Sequence, residues 1–213
     1  MCQPLKETIN ALSTVPINKE DLQGAHLGPL LFSLFINDIA NILHGVDFCI
    51  YADDLKIYKE IKNIVDALMM QDVLNRLHAY IKLNNLSLNV RKCFVVSFTR
   101  KTTGFIYHPY EINGSLVQRK ESIKDLGVIY DSKITFNDHV DSICSKARKM
   151  LGFVMRVGKN FRDPYTFTTL YNSIVRSHLE YASVIWNPFT STQRNKLERV
   201  QHKFLAFVSA KCK

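Results

Sequence analysis

The sequence predicts an α+β fold followed by a region of helices only, and two observations indicate it. Short runs of aromatic and β-branched residues, separated by turn-forming residues, continue to about residue 135, whereas later residues show only the spacing of amphipathic helices. The net charge changes at nearly the same place. Residues 1–139 carry 15 Lys/Arg and 15 Asp/Glu, whereas residues 140–213 carry 13 Lys/Arg and 4 Asp/Glu. We therefore expect an α+β unit and, after it, a basic helical unit.

The first predicted element is a helix that begins at Pro29. Proline is favoured at the first helical position, where its missing N–H removes no hydrogen bond. Apolar residues over 30–43 fall on more than one face, so this helix is expected to be largely buried. A second helix is indicated by apolar residues at helical spacing over 67–81. We expect it to end at Asn84-Asn85, since Asn tolerates the left-handed conformation that often ends a helix.

Strands are predicted around these helices, and the remaining helices follow them. Ala52-Asp53-Asp54 separates two runs rich in Phe, Ile, Tyr and Leu, a length that suits a tight hairpin. Asn113-Gly114 is the strongest short hairpin signal in the chain. The expected strands are Asp47–Tyr51 and residues 55–58, 93–98, 105–112, 116–119 and 126–130. The expected later helices are residues 138–158, 164–182 and 191–209.

Composition and charge narrow the class of protein. The chain is 46% hydrophobic and 22% charged, which is ordinary for a soluble globular protein. Its five widely spaced cysteines contain no CxxC, so neither a disulfide framework nor a zinc site is encoded. No apolar run approaches the roughly 18 residues of a membrane span, and the start has no signal-peptide core, so we expect an intracellular protein with no membrane partner. The basic last third is expected to meet a polyanion, with a solvated helical surface as the alternative.

Asp53 and Asp54 are the strongest candidates for chemistry. They lie in a tight turn directly after an apolar strand, where two adjacent carboxylates repel each other unless a cation neutralises them. Mg²⁺ is a hard cation that prefers such carboxylate oxygens. The alternative is that Asp is simply common in turns.

A longer set of motifs accompanies this pair. Gln23-Gly-Ala-His-Leu-Gly-Pro-Leu-Leu-Phe lies upstream of it and is followed by Ile36-Asn-Asp-Ile, and the pair itself stands in Tyr51-Ala-Asp-Asp. In order and spacing these segments resemble the palm of non-LTR retrotransposon (jockey-like, LINE-type) reverse transcriptases, with their QGxxLGPLLF, YINDL and YADD motifs. The resemblance continues through Leu86-Ser-Leu-Asn-Val-Arg-Lys and Lys124-Asp-Leu-Gly-Val. It covers about residues 23–208, including the helical C-terminal part.

The resemblance implies a domain organisation and a set of partners. Residues 23–135 would form a partial right-hand polymerase palm, an antiparallel sheet with packed helices, and residues 136–213 a basic, all-helical thumb-like region. Residues 1–22 form an atypical lead. The implied activity is that of an RNA-directed DNA polymerase with an RNA template, a DNA primer and dNTPs, working in the nucleus and the cytoplasm. The oligomeric state is left open.

The resemblance also implies roles for residues around the Asp pair. Asp53 and Asp54 would bind two Mg²⁺ ions for phosphoryl transfer. Lys92 would neutralise or protonate the leaving pyrophosphate, although a lone Lys is ordinarily a solvated charge. Tyr51 and Ala52 would flank the primer terminus, with a simple core position as the alternative for the tyrosine.

Further residues would contact the substrate and the nucleic acid. Gln23 and Gly24 would lie beside the nascent base pair, where the missing Cβ of Gly24 permits close approach, with entry into the helix as the alternative. Gly127 would belong to the hairpin that grips the primer end, with a bulge glycine as the alternative. Asn37 and Asp38 are expected to hydrogen-bond locally. The candidate phosphate contacts are Lys146, Arg148, Lys149, Arg156 and Lys159, which could equally favour protein docking or solubility.

One departure from the family pattern concerns the metal ligands. The family palm uses an additional Asp upstream of the Gln-Gly motif, and the acidic residues Glu7, Glu20 and Asp21 do not follow a strand as that Asp does. We therefore expect a truncated copy that polymerises little on its own, since loss of a metal ligand removes several kcal/mol of transition-state stabilisation. The alternative is a non-catalytic nucleic-acid-binding remnant. A different palm-type nucleotidyltransferase or cyclase is disfavoured, because such proteins lack the Gln-Gly lead and the basic helical tail.

Overall fold

The chain folds into two compact units that combine helices and strands. The computed structural model describes residues 5–12, 27–52, 54–99 and 106–212. The units are Met1–Ser122 and Ile123–Lys213. Their division lies earlier than the expected change near residue 135, because the last β-hairpin packs with the helices that follow it.

The first unit is built on a five-stranded sheet and a small separate hairpin. Its strands are β1 (Leu5–Leu12), β2 (Asp47–Tyr51), β3 (Asp54–Ile61), β4 (Phe94–Phe98), β5 (Glu111–Ile112), β6 (Ser115–Leu116) and β7 (Gln118–Arg119). The sheet order is β2-β3-β1-β4-β7, with β1 antiparallel to both neighbours and β7 parallel to β4. The central strand β1 was not predicted, because its mixed polar and apolar residues show no clear period on their own.

Most of the predicted strands of this unit are confirmed. Asn113 and Gly114 have φ values of 53° and 71° and form the turn between β5 and β6, as their sequence predicted. Of the strand expected over 105–112, only Glu111–Ile112 is a strand. The prediction is wrong for residues 106–110. Residue 105 lies outside the described part of the chain.

Two helices accompany the sheet, α1 (Gly28–Phe35) and α2 (Ile64–Leu83). The prediction of α2 is confirmed. Its first turn is fixed by a capping box in which Asn63 accepts from the backbone N–H of Asp66, and the Asp66 carboxylate accepts from that of Asn63. Beyond its last turn Asn85 has a left-handed φ of 53°, as expected.

The expected burial of the first helix is wrong. The side chains of Leu30, Leu31, Leu34 and Phe35 are each about half or more exposed. Burial in this segment begins only at Ile36 and continues in the following 3₁₀ turn, Asn37–Asn41. Apolar composition predicted a buried helix here, whereas no described element covers this face.

The second unit is a hairpin followed by helices. Its elements are β8 (Ser122–Asp125), β9 (Val128–Asp131), α3 (Asn137–Val157), α4 (Pro164–Leu170), a π-helical turn (Tyr171–Arg176), α5 (Ser177–Glu180), α6 (Ser183–Trp186) and α7 (Ser191–Lys211). The three predicted helices are confirmed to within a few residues, with the middle one divided. The strand expected over 126–130 starts later, because Leu126 and Gly127 form the turn between β8 and β9, with φ values of 42° and 89°.

The helices of this unit enclose their own core. The buried side of α3, including Ala147 and Leu151, packs against α7 and the π-helical turn. The rings of Tyr171 and Phe204 stack with their centroids 4.1 Å apart. Within the described residues, no helix has the length and apolar composition that a membrane crossing requires.

Candidate functional site

Asp54 lies at the hairpin between β2 and β3, whose tight turn is confirmed at its described ends. Tyr51, the last residue of β2, pairs with Asp54, the first residue of β3, so two residues form the turn. Ala52 has a left-handed φ of 52°, which is typical of two-residue hairpin turns. Asp53 lies outside the described residues. Tyr51 is exposed, so the alternative that it is a core aromatic is wrong.

The sheet register brings this turn to the same end as Lys92. Asp54 pairs with Leu12 at the end of β1. On the other side of β1, Asn10 pairs with Phe94, the first residue of β4, and Lys92 precedes Phe94 by two positions. Adjacent strands lie about 4.8 Å apart, so strands β3 and β4 are separated by about 10 Å across β1.

Lys92 is held at this edge by a short 3₁₀ turn, Val90–Lys92. Its backbone N–H donates to the carbonyl of Asn89 at 2.9 Å, and the neighbouring Cys93 is buried. The Lys92 side chain is exposed. The Lys92 ammonium group and the half-buried Asp54 carboxylate therefore lie at one end of the sheet, together with the exposed Tyr51.

Asp38 has a different role from the local hydrogen bonding that was expected. Its carboxylate accepts a short hydrogen bond from the hydroxyl of Tyr80, which lies on α2. Burial raises the pKa of Tyr80, and the hydrogen bond and negative charge of Asp38 raise it further. Asp38 thus joins the segment after α1 to α2, a contact across 42 positions that no local pattern could reveal.

Gly127 lies in the second unit, in the turn between β8 and β9. Its φ of 89° is in the region that favours glycine, and it lies between the two strands rather than inside one. A Cβ on Gly127 would lie 3.0 Å from Cε1 of Tyr181, whose hydroxyl donates to the carbonyl of Leu126 at 2.9 Å. Tyr181 was missed by sequence reasoning, because it meets the turn from 55 positions away. Gln23 and Gly24 lie outside the described residues.

A basic surface covers the exposed side of α3. Residues 123–213 carry 15 Lys/Arg and 7 Asp/Glu, a net charge of +8. At 3.6 residues per turn, Arg148, Lys149 and Arg156 fall within about 100° of one another. The buried residues of α3, among them Leu151 and Val154, lie on the opposite side. Five candidate phosphate-binding residues are all exposed: Lys146, Arg148, Lys149, Arg156 and Lys159.

The described residues do not form a complete metal site. Among them, no group of three His, Cys, Asp or Glu side chains could hold a metal ion. Asp54 is the described member of the expected pair, and its partner Asp53 lies outside that range. The carboxylate of Asp54 has the donor chemistry that Mg²⁺ prefers, so it fits a magnesium ion as one member of a partial set of ligands.

Comparison with known proteins identifies the family. Residues 6–153 match the family described as "Reverse transcriptase (RNA-dependent DNA polymerase)". This range includes the β2–β3 hairpin and most of α3. The chain therefore belongs to the reverse transcriptase family.

Several curated relatives come from non-LTR mobile elements of flies. The chain is 30% identical to the RNA-directed DNA polymerase from mobile element jockey of Drosophila funebris, over 88% of this chain and 21% of the relative. It is 26% identical to the corresponding jockey protein of Drosophila melanogaster, over 92% and 22%. A probable RNA-directed DNA polymerase from transposon BS of the same fly is 25% identical, over 88% and 22%. The chain thus spans about one fifth of the length of these relatives.

Proposed function

We propose that this chain carries part of the active site and of the nucleic-acid-binding surface of an RNA-directed DNA polymerase from a non-LTR retrotransposon. One observation supports this most strongly: Asp54, which follows the β2–β3 turn, lies at the same end of the sheet as Lys92. Residues 23–135 would then be part of the palm and residues 136–213 the thumb-like region. The partners would be an RNA template, a DNA primer and dNTPs.

Each residue at this end of the sheet has a definable task. Bound Mg²⁺ would supply activation of the primer 3′-hydroxyl and neutralisation of the triphosphate. Asp53 and Asp54 would hold the metal with their carboxylates. Lys92, on the other side of β1, would place an ammonium group near the departing pyrophosphate. Tyr51 and Ala52 would border the primer terminus.

The remaining contacts are proposed from the family pattern and the local geometry. Gln23 and Gly24 would lie beside the nascent base pair. Gly127 would form the turn that grips the primer end, because a turn with two positive φ values presents backbone groups closely to a ligand. The exposed basic residues of α3 would contact phosphates.

The 213 residues alone are expected to polymerise little. Two-metal phosphoryl transfer needs a full set of ligands for the ions, and in this sequence Asp53 and Asp54 are the carboxylates that stand in a matching motif. Removal of one such ligand costs several kcal/mol in the transition state, and each 1.4 kcal/mol is about tenfold in rate. Nucleic-acid binding by the basic unit does not require these ligands.

The first experiment measures metal binding and primer extension together. Mn²⁺ binding and extension of a DNA primer on an RNA template would be compared in the wild-type chain, Asp53→Asn and Asp54→Asn. Asp47→Asn is the matched control, since Asp47 is an exposed acid at the opposite end of the same hairpin. We expect Mn²⁺ binding to be lost in the first two variants and kept in the control, with at most trace extension throughout.

Two results would contradict parts of this proposal. Equal Mn²⁺ binding in all three variants would exclude the Asp pair as the metal site. Efficient extension that disappears in Asp53→Asn would show that another residue completes the ligand set, and the expectation of low activity would be wrong.

The second candidate function is nucleic-acid binding without catalysis, favoured by the exposed basic side of α3. It predicts binding of an RNA–DNA duplex that weakens steeply with salt, with a slope of about −0.9 per phosphate contacted. Asp54→Asn would leave this binding unchanged. Arg148→Gln would weaken the binding and reduce the salt slope by about the contribution of one phosphate contact. Binding that does not respond to salt would exclude this function.

A further inference from the structure

The glycines of α3 and its C-terminal end differ in what surrounds them. A Cβ on Gly158, the residue that ends the helix, would overlap the ring of Phe167, so close packing within the unit accounts for that glycine. At Gly152, inside the helix, no heavy atom of the described residues outside its own helix and chain neighbours lies within 4 Å of a Cβ position. Internal packing therefore does not require a glycine at residue 152.

A glycine at this position has a cost to the free protein. In a helix interior, glycine is less favourable than alanine because its backbone loses more conformational freedom on folding. Nevertheless α3 is continuous through Gly152, as a regular helix from Asn137 to Val157. The absence of a side chain at Gly152 is thus accounted for by neither packing nor helix formation.

The surroundings of Gly152 on the helix surface are basic. Arg148 lies one turn before it and Arg156 one turn after it, each about 6 Å away along the axis. Lys149 lies on the same side, while Leu151 and other buried residues occupy the opposite side. Gly152 is itself partly exposed, with open space where a Cβ would stand, and it lies between two exposed arginines.

We propose that Gly152 is the point where the backbone of α3 makes its closest approach to the sugar–phosphate backbone of a bound nucleic acid. The missing Cβ lets a polyanionic strand lie against the helix, and Arg148 and Arg156 can then donate to phosphates on either side with their planar guanidinium groups. The inference rests on the proposed nucleic-acid binding of this unit and names the residue that sets its geometry.

The test separates protein stability from binding, because the two should change in opposite directions. Gly152→Ala and Gly152→Gln would be made in the full chain. Both should raise the urea midpoint of unfolding, since Ala and Gln favour the helix over Gly. Both should weaken binding of an RNA–DNA duplex, and we expect the larger Gln side chain to weaken it about tenfold. The salt slope should not change, because no charge is removed.

Two controls make the result specific. Ser209→Gln places the same side chain at an exposed position of α7 and should leave binding unchanged. Arg148→Gln should weaken binding and also lower the salt slope. Wild-type affinity in Gly152→Gln, with Arg148→Gln still weakened, would overturn the inference and leave the proposed function standing. Absence of salt-dependent binding by the wild-type chain would overturn both.

Discussion

The two units of this protein differ in how their candidate sites are made. In the first unit Asp54 and Lys92 lie at the same end of a sheet, where strand register sets their spacing. In the second unit the candidate surface is the exposed side of a long helix in a region of net charge +8, whereas residues 1–122 have a net charge of only +1. A site of the first kind depends on the positions of individual side-chain atoms. A site of the second kind depends on the net charge of the surface and on how closely a ligand can approach the helix.

The units also differ in how their apolar residues are distributed. In the second unit the buried side of α3 and its basic side are cleanly separated. In the first unit α2 is packed against β3, but α1 leaves Leu34 66% exposed. Exposed apolar side chains contribute little to folding, because burial is what removes their surface from water. The stability of the first unit should therefore depend on α2 far more than on the face of α1.

The largest expected effect tests this contrast with one substitution at two positions. Leu77→Ala removes a side chain of α2 that is 0% exposed and should lower the free energy of unfolding by about 2–5 kcal/mol. Leu34→Ala on α1 should change it by no more than about 0.5 kcal/mol. Urea unfolding of both variants measures the difference. Similar losses in the two would mean that the face of α1 is buried in solution, and the contrast would be wrong.

The fold could be predicted where local chemistry decides it. The Asn113-Gly114 turn, the hairpin after Tyr51 and the helix α2 follow from turn preferences and apolar spacing within short segments. Strand β1 could not be predicted in this way, because it is a strand through its pairing with β3 and β4, which are distant in sequence. The exposed face of α1 was also missed, since apolar composition does not show whether a partner surface exists.

The same distinction holds for the candidate site. The Asp pair and Lys92 could be found from motifs, but the common location of Asp54 and Lys92 at one end of the sheet depends on the register of β1. Tyr181 supports the turn at Gly127 through a contact between distant segments, and sequence spacing gives no signal for it. Gly152 stands out only after the structure shows that nothing described fills the space beside it.

A smaller effect on the free energy of unfolding is expected for Asp131, which lies where β9 connects to α3. The Asp131 carboxylate accepts hydrogen bonds from the backbone N–H groups of Lys133, Thr135 and Phe136 at 2.8–3.1 Å. Burial alone would raise the pKa of Asp131, but these hydrogen bonds together lower it. Asp131→Asn should lower the free energy of unfolding at pH 7 by about 1–3 kcal/mol.

The pH dependence of this effect has a defined sign. A carboxylate with a lowered pKa stabilises the folded state above the pKa of the unfolded chain, about 3.9, and loses this contribution as the pH falls through the folded value. The difference between wild type and Asp131→Asn should therefore shrink in acid. Asp138→Asn is the control, since Asp138 is an exposed acid in the first turn of α3 and is worth about 0.3–1 kcal/mol there. A difference that stays constant down to pH 2 would contradict the role of the Asp131 charge.

The smallest expected effect concerns His139, a buried residue of α3 in the basic unit. Its Nδ1 accepts from the backbone N–H of Ile129 at 3.2 Å, and its ring meets the ring of Trp186 edge-on at 5.2 Å. Nδ1 can accept only in the neutral imidazole. Burial lowers the pKa of His139, and the positive charge of Lys146 lowers it further.

Protonation of this histidine should therefore oppose folding of the second unit. With the folded pKa below the unfolded value of about 6.5, the unfolded chain binds the proton more readily, so stability is lost as the pH falls below about 6.5. His139→Gln keeps a side-chain acceptor for Ile129 and cannot be protonated, so its unfolding free energy should depend less on pH between 7.5 and 5.5. His202→Gln, at an exposed position of α7, should keep the wild-type dependence. Equal pH dependence in wild type and His139→Gln would mean that the loss of stability in acid arises elsewhere. Repulsion among the excess basic residues of this unit would then be the first cause to test, by measuring how the pH dependence changes with salt.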